Sequence, residues 1–127
     1  TDMDTGQGVV ELSPSGTYTP ILTNVTNLSA STAHLCQHCR VGNMGMVSGV
    51  VDGDPTATGT VQLGISLPYA SNFGETFDCG GVGFCGEVAG QGASIRADPA
   101  NDRAEMTWIA VDLGNRSMFF SFMYRII

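Results

Sequence analysis

A chain of 127 residues is the size of one domain, long enough to bury roughly two thirds of its unfolded surface in a single core. Hydrophobic residues make up 43% and charged residues 13%, with 17 glycines, which fits a compact, turn-rich fold and excludes a disordered chain. The net charge of −7 comes from 12 acidic residues against five arginines and no lysine, so phosphate-backbone binding has no electrostatic footing and proteins or glycans are the expected partners.

The first seven residues, TDMDTGQ, are polar and are expected to form an arm that a neighbour must order; residues 8–127 read as one domain. Strand candidates follow at residues 8–12, 17–24, 33–41 and 44–52. In TVQLGISLP, Val61, Leu63, Ile65 and Leu67 point one way while Gln62, Gly64 and Ser66 point the other, the pattern of a half-buried strand. Further candidates are residues 84–89, 93–97 and 103–112. The last segment, SMFFSFMYRII, places Met118, Phe120, Phe122, Tyr124 and Ile126 on one face, and Phe119, Ser121, Met123, Arg125 and Ile127 on the other. Both faces are largely apolar, so this strand is expected to be covered on two sides, with Phe119, Met123 and Ile127 as candidate subunit-interface residues.

The breaks SPSG, VGNM, GDPTATG, SLPYASNFG, DPAND and DLGNRS are rich in Gly, Pro, Asn and Asp, and no segment carries a convincing helical stripe. Short strands at this spacing predict an all-β sandwich or barrel. No apolar run approaches the ~20 residues of a membrane-spanning helix, and the amino terminus lacks the layout of a signal peptide, so no export is expected. The sequons NVT, NLS and NRS carry little weight without one.

Cys36 and Cys39 have CxxC spacing, yet AHLCQHCRV has strand character and no tight turn between the thiols, while Cys79 and Cys85 have a spacer foreign to zinc ribbons. Packed thiols or disulfides are the expected states, with no metal or cofactor. His34, Cys36 and His38 share strand parity, a spacing compatible with a metal edge, but are read as residues of a solvent-facing strand. Thioredoxin-like chemistry needs CxxC opening a helix, and no helix follows. HExxH, GxSxG and P-loop motifs are absent, and Asp52 and Asp54 in VDGDPT lack the further ligands of an EF-hand and read as a turn.

From Ser15 onward SGTYTPILTNVTN, ASTAHLCQHCRVGN, VSGVVDGDPT, LGISLPYASNFG, AGQGASIRAD, RAEMTWIA and FFSFMYRII occur in fixed order over about nine tenths of the chain. This order resembles a β-rich module of tailed-bacteriophage virion proteins, found in capsid decoration (cement) proteins and in fibre and tail-associated domains. The resemblance implies a jelly-roll-like antiparallel β sandwich, a homotrimer and no catalytic activity. The RVGN stretch then becomes a hairpin in which Gly42 and Asn43 supply positive-φ residues. The chain departs from the module in its sulfur, at His38-Cys39 and Cys85, and the reading that follows pairs Cys39 with Cys85 and Cys36 with Cys79, one of three pairings that four cysteines allow.

The expected function is non-enzymatic capsid decoration: a homotrimer on the outer head surface that staples the major capsid protein, with Thr1, Asp2, Met3, Asp4 and Thr5 as the capsid-contact arm. It would be made in the host cytoplasm and reside in the virion, away from nucleic acid and membrane. The alternative is the receptor-binding tip of a tail or neck fibre, with Tyr69, Phe73 and Phe77 of SLPYASNFGETFD stacking on sugars; a tip follows a long stalk, for which 127 residues would leave no room if they were the complete chain, an argument that a cut fragment would remove.

Overall fold

The computed structural model of the protein describes residues 14–127, so the expected arm and the strand at residues 8–12 lie outside the described residues. Ten strands follow in order: β1 (Ser15–Tyr18), β2 (Leu22–Thr26), β3 (Leu28–Ala33), β4 (Cys36–Val41), β5 (Met44–Pro55), β6 (Gly59–Ile65), β7 (Cys79–Cys85), β8 (Gly92–Asp98), β9 (Arg103–Ala110) and β10 (Arg116–Arg125). A single 3₁₀ turn, Thr76–Asp78, precedes β7. No helix among the described residues is long and apolar enough to cross a membrane.

The protein is all-β, as expected, and every pairing is antiparallel. The strands form one path, β1-β4-β5-β10-β7-β8-β9-β6-β2, with β3 beside β5. Strand β5 is long enough to serve two neighbours along one edge: residues Met44 to Ser48 pair with β4 and Val51 to Pro55 with β3. The sheet curls until its ends approach. Ser31 Oγ donates to Asn24 Oδ1 (2.5 Å) between β3 and β2, and Tyr18 Oη donates to the Ser66 carbonyl (2.9 Å) between β1 and the end of β6. The described strands run as one continuous antiparallel curl with β7-β8-β9 as a meander.

Period-two alternation fills the inside of the curl. Val61, Leu63 and Ile65 of β6, Met106 and Trp108 of β9, and Met118, Phe120, Phe122 and Tyr124 of β10 are all buried. Each large apolar side chain removed from water contributes about 1.5–3 kcal/mol. Register carries the core from strand to strand, as in the row Val51–Met118–Cys85 across β5, β10 and β7.

Several elements differ from the sequence reading. Residues 17–24 are two strands, because Pro20 has no amide to give a ladder and the chain there crosses from the edge beside β4 to the edge beside β6. Strand β3, LSASTA, was not foreseen. Residues 79–85 form β7 where 84–89 was expected: the glycines of CGGVGFC mark close backbone approach rather than a break. A Cβ at Gly81 would lie 2.2 Å from the Ser121 carbonyl of β10, and one at Gly83 2.7 Å from that of Phe119. Asp52 and Asp54 belong to β5 and not to a turn. In the β4–β5 hairpin only Gly42 has positive φ (+58°), so the two-residue turn is of the II′ kind and Asn43 needs no left-handed backbone.

Candidate functional site

The outer face of β4, β5, β10 and β7 is built by the same alternation that fills the core. With Met118, Phe120, Phe122 and Tyr124 turned inward, β10 must turn Phe119, Ser121 and Met123 outward, and Phe119 and Met123 remain 39% and 50% exposed. Register sets their neighbours in three cross-strand rows: Val50–Phe119–Phe84, Ser48–Ser121–Val82 and Met46–Met123–Gly80. Val82 and Phe84 are 67% and 58% exposed, and the Phe84 and Phe119 rings stack with centroids 5.3 Å apart. On the β4 side the rows continue to Gln37 and Cys39, and exposed Leu35 extends the apolar area.

Two shallow grooves score this face. One of ≈ 550 Å³ touches Cys39, Met46, Val82 and Met123. The other, of ≈ 440 Å³, touches Leu35, Val50, Phe84 and Phe119. No charged side chain belongs to the three rows, although the chain carries −7 overall. Among the described residues, charges stand at the ends: Arg125 faces Asp78 (3.7 Å), and His34 Nε2 meets Asp52 Oδ2 (2.8 Å). Such an arrangement can exclude water against a complementary surface, and it offers no converging nucleophile, acid and base. Ile127 is also exposed, just past β10, with its amide donating to Ser71 Oγ (3.1 Å).

The expected cysteine pairs are not brought together. All four cysteines are free thiols. Cys39 lies on the outer face and Cys85 faces the core, with β5 and β10 between their strands, so that disulfide has no geometry. Cys36 and Cys79 are likewise separated by β5 and β10 and are staggered, since the row of Cys36 runs through Gly49 and Phe120 to Gly83, four positions from Cys79. Cys36 packs on Gly49, where a Cβ would lie 2.3 Å from its Sγ, and donates weakly to the His34 carbonyl (3.3 Å). Cys85 Sγ donates to Glu87 Oε1 (3.4 Å). Burial pushes the Cys36 thiol up and raises that of Cys79 to about 12, so both are neutral packing groups at physiological pH.

The histidines also depart from expectation. His38 is not on a solvent-facing edge: its ring lies edge-on between Tyr18 and Tyr69, at centroid distances of 5.7 and 5.0 Å, and its Nδ1 is 2.6 Å from the Tyr69 hydroxyl. His34 precedes β4 and turns to Asp52 instead. Among the described residues no three His, Cys, Asp or Glu side chains gather as a metal site.

Of the aromatics in SLPYASNFGETFD, Phe73 is a core residue edge-on to Tyr124, and Tyr69 is locked by its amide donating to Tyr124 Oη (3.0 Å) while that hydroxyl donates to the Tyr69 carbonyl (2.9 Å). Only Phe77, 79% exposed, is free to meet a ligand. Sequence reasoning singled out Phe119, Met123 and Ile127 but missed Met46, Val50, Val82 and Phe84. The alternation Met44, Met46, Ser48, Val50 already carried part of that signal. Compared with known proteins, the chain matches no family model, no curated protein and no solved structure.

Proposed function

We propose that the protein is a non-enzymatic structural component that works by burying the outer face of β5, β10 and β7 against copies of itself, as a homotrimer. One observation carries this reading: among the described residues, a contiguous apolar face whose cross-strand rows hold no charged side chain, on a chain of net charge −7. Acidic copies repel one another elsewhere, so this is the face across which they meet at least electrostatic cost. The ordered resemblance to tailed-phage virion modules supplies the setting. The trimer decorates the outer surface of a phage head, contacts the major capsid protein and stabilises the shell, with many weak contacts adding through multivalency.

The test is to mix purified protein with undecorated heads. The proposal expects co-sedimentation at saturable stoichiometry and heads that survive higher temperature or osmotic shock. Protein that ignores heads but blocks phage adsorption to cells would replace this reading with the receptor-binding tip, for which exposed Phe77 is the available aromatic.

A further inference from the structure

A threefold ring closes only if each copy offers two different surfaces, because its contacts are heterologous: one patch of a subunit meets another patch of the next. The outer face of β5, β10 and β7 supplies one patch, and a second stands around the curl from it. Strand β9 turns Ile109 outward, and the alternation runs past its end to Val111 and Leu113, so three branched side chains, each more than half exposed, lie within five residues of chain. Ile109 and Val111 form one wall of a groove of ≈ 310 Å³, and the β7–β8 turn from Val88 to Gly92 forms the other. Gln91 ties that turn to β9 by donating from Nε2 to the Ile109 carbonyl (2.5 Å). Among the described residues no charged side chain lines the groove, and Asp112, between Val111 and Leu113, is paired with Arg116. Gly92 lies opposite Phe84, the margin of the first patch, so the apolar surface passes from Phe119 and Phe84 over a residue without a side chain to Ile109.

We infer that Ile109, Val111 and Leu113 of one copy seat in the grooves on the outer face of β5, β10 and β7 of the next, with the ring axis passing near Gly92, a contact that rests on the proposed trimer and adds to it the surface that the apolar face meets. The two contact surfaces of a threefold subunit adjoin along the axis, and these two adjoin at Gly92. Branched aliphatic side chains match shallow apolar grooves. With no charge in the three rows or in the groove lining, neither surface has to desolvate an ion. The outer face packed on its own counterpart would instead be isologous: it closes as a dimer and leaves the Ile109 patch in water.

Light scattering on two double variants, each checked for folding by circular dichroism, tests this contact. Phe119→Glu with Val82→Glu spoils the first patch, and Ile109→Glu with Val111→Glu spoils the second. Each alone should be a particle of one 13.3 kDa chain. An equimolar mixture should give particles of two chains, since one intact patch of each kind remains across the pair but no ring can close. Ile109→Thr with Val111→Thr, which keeps the β-branched shape, should raise the concentration at which half the trimer dissociates at least tenfold. An Ile109→Glu, Val111→Glu protein that keeps the wild-type trimer mass, an unshifted threonine variant, or a mixture that stays monomeric overturns this contact and leaves the trimer standing. A monomeric wild type removes the proposed trimer itself, and this contact with it.

Discussion

Nδ1 of His38 lies 2.6 Å from the Tyr69 hydroxyl, a contact that ties β4 to the loop after β6 across 31 sequence positions. The same hydroxyl lies 3.2 Å from the Pro14 carbonyl. Three separate segments are thus held by one phenol oxygen. Tyr69→Phe keeps the ring and removes that oxygen, leaving the imidazole nitrogen without this partner, while the Pro14 carbonyl keeps the Arg40 amide (2.9 Å). The variant should lose about 0.5–1.5 kcal/mol in urea denaturation, with unchanged m-value. An unaltered midpoint would show that water replaces the hydroxyl at no cost.

Adjacent glycines of β7 should respond oppositely to alanine. At Gly81 a Cβ would lie 2.2 Å from the Ser121 carbonyl and 2.5 Å from Phe122 Cβ, so β7 and β10 would have to separate. At Gly80 nothing lies within 4 Å. Gly81→Ala should cost more than about 3 kcal/mol or prevent folding, whereas Gly80→Ala should stay within about 0.5 kcal/mol of the parent. Thermal melts of the two variants decide it, and equal melting temperatures would contradict the β7–β10 register.

Alkaline pH should destabilise the protein through its buried thiols and phenols. Burial raises Cys79 from 9.0 to about 12 and Tyr124 from 10.0 to about 12, and it raises Tyr18 as well. Each group is neutral when protonated, and above pH 9 the unfolded chain releases protons that the native state retains. Their contribution is therefore complete below pH 9 and drains as pH rises from there toward 12. Urea midpoints should be flat from pH 7 to 9 and fall beyond, with a shallower fall for Cys79→Ala between pH 9 and 10. At neutral pH a thiol reagent should modify Cys39 rapidly and the other three cysteines only on unfolding; fast labelling of two or more would place another thiol at the surface.

Much of this was legible in the sequence where alternation was clean. In residues 60–65 and 117–125 every second residue is large and apolar, so strand, inward face and the outward Phe119 and Met123 followed directly. Legibility failed where side chains carried no pattern. β3 is nearly all small residues, and β7 was hidden by glycines whose purpose appears only when β10 lies against them. The thiols were misjudged for a related reason: spacing along the chain showed neither that Cys39 and Cys85 face opposite ways nor that Cys36 fills the space left by Gly49. His38 shares parity with Cys36, and that parity points into the curl, where Tyr18 and Tyr69 receive it.

Whether the outer face of β5, β10 and β7 joins copies of the protein is read most directly by light scattering on the wild type and on Phe119→Glu with Val82→Glu. These side chains are 39% and 67% exposed, so a charge there spares the core while placing carboxylates at the middle of the face. The wild type should give about three times the 13.3 kDa chain mass at micromolar concentration, and the variant a folded monomer with unchanged circular dichroism. A monomeric wild type, or a double-glutamate variant that keeps the full trimer mass, would contradict self-association through this face.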